Sequence, residues 1–208
     1  AVTDEVNNDA NGVVAGFSDA TGNYLPIAVT LNAARVLANT AELLGVDFDE
    51  FAKLALSAAP GSDGLTLVPY YEGERTPNLP NAKASLHGMT LASTNRPNLA
   101  RASIEGMLCG LADGLDALVA LGVQVNRVLL IGGGAQSAAV QEVAGTIFDF
   151  AIEVPAISEY VAEGAAIQAA WALTGTRPDW QIKTTKLAAA NVVPAIRTNY
   201  AVATSSFL

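Results

Sequence analysis

Residues 127–137 read Arg-Val-Leu-Leu-Ile-Gly-Gly-Gly-Ala-Gln-Ser, an apolar run that breaks at three glycines. Such a run predicts a strand buried on both faces, and residues 138–148 have helical character. Glycines let a backbone approach a ligand closely, and the first N–H groups of a helix lack partners within it. The unit is therefore typical either of a turn that binds a nucleotide or of a structural turn. A dinucleotide fingerprint is disfavoured because Ser137 stands where a third glycine is needed.

Strands and helices alternate on both sides of this unit. Apolar spacing predicts strands at 13–17, 24–27, 65–70 and 151–154, and helices at 31–44, 49–59, 99–121 and 161–173. Residues 71–81, with proline and charged side chains, are predicted to form an ordered loop. Residues 184–208 are predicted to be a weakly organised tail. The alternation indicates an α/β domain.

The composition excludes several classes of protein. The chain has 208 residues, of which 51% are apolar, so it can bury a core, and its net charge of −9 argues against a nucleic-acid partner. No uninterrupted apolar run is long enough to span a bilayer, and no second His or Cys accompanies His87 or Cys109 to bind a transition metal. Cys109 reads as a core residue, and so does Trp171 on the helix at 161–173. A lone cysteine also favours a reducing, cytoplasmic compartment.

Four motifs occur in order along the chain: Gly-Glu-Arg-Thr-Pro-Asn at 73–78, a second signature at 84–105, the glycine turn at 131–137 and a small-residue helix at 160–166. Together they resemble the FGGY family of carbohydrate kinases, from Gly12 to about Gly175. The resemblance implies an actin-like (ribonuclease H-like) ATPase fold, a mixed sheet flanked by helices. It also implies that residues 1–208 are the C-terminal, nucleotide-contacting domain of a two-domain kinase whose N-terminal domain is absent.

Within the family, the motif at 73–77 looks most like that of xylulokinases, whereas gluconokinases often carry Ala in place of Thr76. The resemblance then implies transfer of a phosphoryl group from ATP to D-xylulose, with Mg²⁺ as the second cofactor, giving D-xylulose 5-phosphate in the full-length enzyme. Two alternatives stay open. One is another kinase of the family, acting on gluconate, ribulose or glycerol, and the other is a non-catalytic nucleotide-binding module.

The resemblance also assigns residues to the site. The predicted nucleotide contacts are Asn32, Ala33, Gly133, Gly134, Ala135 and Ala138. Asn32 also reads as a helix cap, and Arg35 as facing either the same pocket or solvent. The predicted domain-interface loop is Gly73, Glu74, Arg75 and Thr76. The surface that is expected to contact the absent domain can also pair with a second copy of the chain, so a homodimer stays open as well.

No residue of this sequence is assigned as catalytic. The family's base lies in a Gly-Gly-Asp-type motif upstream of Ala1. Asp19 has the composition of a turn, and Asp113 and Asp116 read as solvated or paired charges on a helix. The fragment alone is therefore expected to be inactive. Glu105 lies in a tightly packed helix and needs a partner; Arg75 is a candidate, and a structural ion pair is the favoured interpretation.

Overall fold

A computed structural model describes residues 1–6, 9–186 and 191–207. The strands are β1 (Val14–Ser18), β2 (Tyr24–Ala28), β3 (Thr66–Val68), β4 (Ser85–His87), β5 (Val128–Leu129), β6 (Ile152–Pro155) and β7 (Thr184–Lys186). The helices are α1 (Ala34–Leu44), α2 (Phe48–Ser57), α3 (Arg96–Ala120), α4 (Ala138–Ile147), α5 (Tyr160–Thr174) and α6 (Pro194–Thr204). Short 3-10 turns lie at Ser62–Gly64, Gly133–Gln136 and Ser205–Phe207.

Local sequence signals set several helix ends. The Asn98 N–H donates to the side chain of Asn95, which caps α3, and a proline occupies the first turn. The Glu50 N–H donates to Asp47 in the same way at the start of α2. Helix α1 stops at Gly45, whose φ of 66° suits glycine. The predicted helices therefore begin and end within a few residues of the observed ones.

The strands form a mixed set of small sheets. β1 and β2 are an antiparallel hairpin in which Val14 lies opposite Ala28. β3 and β4 are also antiparallel. In the third sheet, β6 lies between β5, which is parallel to it, and β7, which is antiparallel.

Helix α3 is the centre of the core. It contacts α1, α2, α4, α6 and β3. Its buried apolar residues include Ala100, Ile104 and Leu108, which are fully inaccessible, and Cys109, as predicted. Small residues let neighbours approach closely: a Cβ placed on Gly106 would lie 2.2 Å from the Leu67 carbonyl oxygen. The chain therefore organises its other elements around one long helix.

Strand β5 differs from the expected strand buried on both faces. It is an edge strand of two residues, and Leu129 and Ile131 are 39% and 57% exposed. An apolar groove of about 240 Å³ lies along it, lined also by residues of β2 and α3. The continuous apolar run therefore predicted the position of the strand correctly, but it did not predict which neighbouring elements cover the faces of that strand.

Two further expectations need correction. The tail at 184–208 was expected to be weakly organised, yet α6 buries Ile196, Tyr200 and Ala203, which recur at helical spacing. Residues 187–190 and 208 of that tail lie outside the described residues. Trp171 was expected in the core, but α5 has no buried residue and Trp171 is only half-buried.

Among the described residues, no helix combines the length and the apolar character that crossing a membrane requires.

Candidate functional site

The glycine turn after β5 is a single 3-10 turn. Gly132 enters it with a φ of 98°, which favours glycine, and the Ala135 N–H donates to the Gly132 carbonyl at 3.1 Å. Ala135 is buried, and its carbonyl accepts a hydrogen bond from Gln141 Nε2 at 2.7 Å. A Cβ on Gly133 would meet no atom within 4 Å. The turn is thus fixed from behind by α4 and open in front at Gly133.

The start of α1 lies directly beside this turn. A Cβ placed on Gly134 would be 3.6 Å from the Cβ of Ala34, an ordinary van der Waals contact. Ala33, Gly133 and Ala138 are exposed. The structure therefore brings together two segments that are a hundred residues apart in sequence, and it presents small, uncharged residues on both.

Asn32 lies just before α1 but does not cap it. Ala33 occupies the cap position, without a side-chain bond, so the capping interpretation is wrong. The Asn32 side chain is 5% exposed and turns to the loop at 71–77 instead. Its Nδ2 donates to the Gly73 carbonyl at 2.7 Å, and its Oδ1 accepts from the Tyr71 N–H at 3.1 Å. Both ends of the amide are therefore used within this domain.

Glu74 is the most heavily bonded side chain of the loop, and it is 2% exposed. Its Oε1 accepts from the backbone N–H groups of Leu31 at 2.9 Å and Arg75 at 2.7 Å. Its Oε2 accepts from Thr30 Oγ1 at 2.8 Å and Asn32 Nδ2 at 3.0 Å. The carboxylate has its four acceptor positions filled by donors, which offsets the cost of burying its charge.

The rest of the loop divides into an inner and an outer face. Thr76 is 6% exposed, and a Cβ on Gly73 would lie 2.4 Å from the Pro80 carbonyl oxygen, so both residues face inward. Arg75 is exposed, and its guanidinium donates weakly to the Gly12 carbonyl at 3.4 Å. Tyr71 is 39% exposed. An aromatic ring and a cation therefore form part of the outer face.

Arg35, in the first turn of α1, faces solvent and the loop. Its two terminal nitrogens donate to the Glu72 carboxylate at 2.9 and 3.1 Å, and both side chains are mostly exposed. This is a second link between α1 and the loop, although exposed pairs of this kind contribute little to stability.

Glu105 forms a structural ion pair, as predicted, but the candidate Arg75 is not its partner. Glu105 pairs with Arg101, four residues earlier on α3, at 2.8 Å, and both side chains are buried. The spacing i,i+4 on one helix face was the signal that could have found it. Arg75 belongs to a different surface and has no part in this pair.

The other acidic residues, Asp19, Asp113 and Asp116, have the structural roles that the sequence predicted for them. Asp19 accepts from the N–H groups of Thr21 and Asn23 within its turn. Asp113 and Asp116 both pair with Arg197 of α6. Burial raises the pKa of Asp113, whereas Arg197 acts in the opposite direction. Burial also raises the pKa of the Cys109 thiol to about 12, so this thiol is not a nucleophile.

Thr30 is the residue of the site that sequence reasoning missed. It contributes its hydroxyl to Glu74, 44 residues away. Its only signal was its position as a polar residue between the end of β2 and Asn32. Among the described residues, no group of three His, Cys, Asp or Glu side chains is arranged to hold a metal ion.

Known proteins match both the sequence and this geometry. The profile of the FGGY family of carbohydrate kinases, C-terminal domain, matches residues 1–173. The xylulose kinase of Streptomyces rubiginosus is 39% identical over 197 residues, which are 94% of this chain and 39% of that protein. The gluconokinase of Bacillus subtilis is 35% identical over 131 residues, 62% of this chain and 25% of that protein.

The crystal structure of xylulose kinase from Bifidobacterium adolescentis is similar to this fold, with a TM-score of 0.87 at 48% identity. The match covers 98% of this chain and 40% of that one, so the chain spans about two fifths of the length of the xylulose kinases it matches. The likeness confirms the predicted actin-like α/β fold. With a profile match that covers residues 1–173, the chain belongs to the FGGY family of carbohydrate kinases and carries its C-terminal domain.

Proposed function

We propose that this domain is the nucleotide-contacting half of a two-domain enzyme that phosphorylates D-xylulose with ATP. The observation that carries the proposal is the 48% identity, over nearly the whole chain, with the xylulose kinase of Bifidobacterium adolescentis. The product would be D-xylulose 5-phosphate. The buried free thiol of Cys109 is compatible with the reducing, cytoplasmic location that we include in the proposal.

Gluconate is the second candidate substrate, because a gluconokinase is among the relatives at 35% identity. Thr76 favours the ketopentose, since gluconokinases often carry Ala at this place in the motif. Thr76 is buried and its hydroxyl reaches the Val13 carbonyl at 3.5 Å. Its effect on the choice of sugar would therefore act through the shape of the loop.

The geometry of the glycine turn fits a nucleotide. Ala33 and Gly133 are exposed and carry little or no side chain, so a flat ring can pack against their backbone. Ala135 and Ala138 come next in the chain, where the turn leads into α4. On the opposite side of the site, Asn32 fixes the start of α1 through its hydrogen bonds to the loop at 71–77. ATP, when bound, would supply the phosphoryl group. This chain's residues would bind and orient the nucleotide and keep the wall of the pocket in place.

Mg²⁺ belongs to this proposal as the second cofactor, although among the described residues no three His, Cys, Asp or Glu side chains are grouped to hold a metal ion. We therefore derive no step through Mg²⁺, which in phosphoryl transfer is commonly held by the nucleotide's own phosphates. The described carboxylates near the site are likewise engaged, Glu74 by four donors and Glu72 by Arg35. The proton acceptor for the sugar hydroxyl is assigned to the other domain.

The loop at 73–76 is proposed as part of the interface with that other domain. Glu74 and Gly73 fix its inner face, whereas Arg75 and Tyr71 are exposed. A rigid loop with an exposed cation and an aromatic ring is suited to a surface that closes over a substrate.

The direct test compares sugars and protein lengths. We expect the full-length protein to phosphorylate D-xylulose with a kcat/KM at least about ten-fold above that for D-ribulose, gluconate or glycerol. Residues 1–208 alone should release no ADP above background, because the proposal assigns the sugar pocket and the base to the other domain. A coupled ADP assay measures both. A higher kcat/KM for gluconate than for D-xylulose would make gluconate the proposed substrate. Turnover by residues 1–208 alone would overturn the two-domain proposal.

A substitution at Gly134 should act on the nucleotide rather than on the sugar. In the full-length protein, Gly134→Val is expected to raise the KM for ATP about ten-fold or more, since its γ-methyl groups would enter the space beside Ala34. Gly134→Ala is the matched variant: its Cβ fits at 3.6 Å, so its fold should be unchanged and its effect smaller. If KM rises equally for both substrates and thermal stability falls, the turn has a structural role only.

A further inference from the structure

We propose that Glu74 and Asn32 are positioning residues that couple the loop at 71–77 to the nucleotide-facing start of α1. The inference rests on the proposed nucleotide site and names what sets its geometry. Neither side chain is open to a ligand, because they are 2% and 5% exposed. Their effect on the nucleotide would therefore act through the backbone that they hold.

The first link joins Glu74 to the segment before α1. Its carboxylate accepts from Thr30 Oγ1, the Leu31 N–H and Asn32 Nδ2, all within 3.0 Å. These three residues lead directly into Ala33 and Ala34. The entry of the helix is thereby fixed to the loop by a single side chain more than 40 residues away.

The second link is the side chain of Asn32. Its amide spans the loop, donating to the Gly73 carbonyl and accepting from the Tyr71 N–H. This arrangement allows only one orientation of the amide, because reversing it would place a donor against the Tyr71 N–H and an acceptor against the Gly73 carbonyl. Asn32 consequently follows any displacement of the loop.

The third link leads from α1 to the turn. Ala34 packs beside Gly134, with 3.6 Å between its Cβ and a Cβ built on the glycine. A shift of α1 by an ångström would open or close the space between Ala33 and Gly133. The loop that would meet the other domain and the wall that would meet the nucleotide are thus parts of one hydrogen-bonded unit.

Charge makes Glu74 the sensitive point of this unit. None of the ion pairs formed by the described residues includes Glu74. Its carboxylate is therefore stabilised by uncharged hydrogen-bond donors and not by a cationic side chain. In Glu74→Gln, one acceptor oxygen becomes an NH2 group that faces two donors. An NH2 group in the place of Oε1 would face the Leu31 and Arg75 N–H groups, and both hydrogen bonds would be lost. In the place of Oε2, the Thr30 hydroxyl can turn to accept from it, but the bond from Asn32 Nδ2 is lost because the orientation of that amide is fixed.

The experiment measures ADP binding to the full-length protein by calorimetry, and the KM values for ATP and D-xylulose. We expect Glu74→Gln to weaken ADP binding and raise the KM for ATP about ten-fold, the equivalent of one charge-assisted hydrogen bond. The KM for D-xylulose should change less than about two-fold, since most sugar contacts belong to the other domain. Glu42→Gln, an exposed carboxylate at the far end of α1, makes the same chemical change and should leave ADP binding unaltered.

A second variant keeps the test decisive if Glu74→Gln does not fold. Thr30→Val retains the shape of the side chain but removes the hydroxyl that donates to Glu74 and accepts from the Asn32 N–H at 3.3 Å. It should weaken ADP binding about two- to five-fold. Unchanged ADP affinity in both variants, or equal increases in both KM values, would overturn the coupling. If wild type binds ADP but does not phosphorylate D-xylulose, the proposed function fails while the coupling is still measured by ADP binding. Absence of ADP binding in wild type would overturn both.

Discussion

Replacing Arg101 with methionine is expected to lower the free energy of unfolding by about 3–5 kcal/mol. Arg101 and Glu105 form a buried ion pair, with side chains 1% and 6% exposed. Methionine fills similar space but leaves the Glu105 charge with only the Gly61 N–H and the Ser62 hydroxyl. The loss would be a large share of the stability of a domain, which is about 5–15 kcal/mol. Urea or thermal unfolding measures it.

Two variants serve as controls for this effect. Lys53→Met breaks an exposed helical pair with Glu50 and should cost about 0–1 kcal/mol. The double variant Arg101→Met, Glu105→Gln removes the unpaired charge, so it should recover a large part of the loss. If the double variant is as unstable as the single one, lost packing rather than an uncompensated charge is responsible.

The same pair predicts a pH dependence. Burial raises the pKa of Glu105 above its ordinary value, while bonds from Gly61 and Arg101 act in the opposite direction. Without Arg101 the pKa of Glu105 rises further, so the folded variant takes up a proton at a higher pH. A raised folded-state pKa penalises folding above that pKa, and the penalty disappears as pH falls. The deficit of Arg101→Met relative to wild type should therefore be smaller at about pH 5 than at about pH 8.

The second large effect is expected at Gly106. In Gly106→Ala the new Cβ would lie 2.2 Å from the Leu67 carbonyl oxygen and 3.2 Å from its carbon. Both are backbone atoms of β3, so α3 and the strand must move apart. We expect a loss of about 1–3 kcal/mol in the free energy of unfolding, measured by denaturant titration.

Gly110→Ala, one turn further along α3, is the matched control. Its Cβ would lie 3.7 Å from the Tyr200 hydroxyl oxygen, an ordinary contact. Alanine is favoured over glycine in a helix by up to about 1 kcal/mol, so this variant should be as stable as wild type or more stable. Similar losses at both positions would contradict the assignment of close helix–strand contact to Gly106.

Local signals predicted much of the fold. The spacing of apolar residues located α3, and its start is set by the Asn95 cap and by Pro97 in the first turn, interactions that lie within a few residues of each other. Helix α6 was missed although its three buried residues recur at helical spacing, because the polar residues at 197–199 interrupt its apolar ones. Strand β5 was placed correctly in sequence, but its exposed face depends on neighbours that its own pattern does not specify.

The sequence by itself determined the α/β class, the order of most of the elements and the family, because periodicity, caps and motifs are local properties of the chain. Only the tertiary structure decided which side chains meet. It showed that Glu74 is held by Thr30 and Asn32, and that Ala34 lies beside Gly134. Contacts between residues forty or a hundred positions apart arise from packing around α3, and spacing along the chain does not encode them.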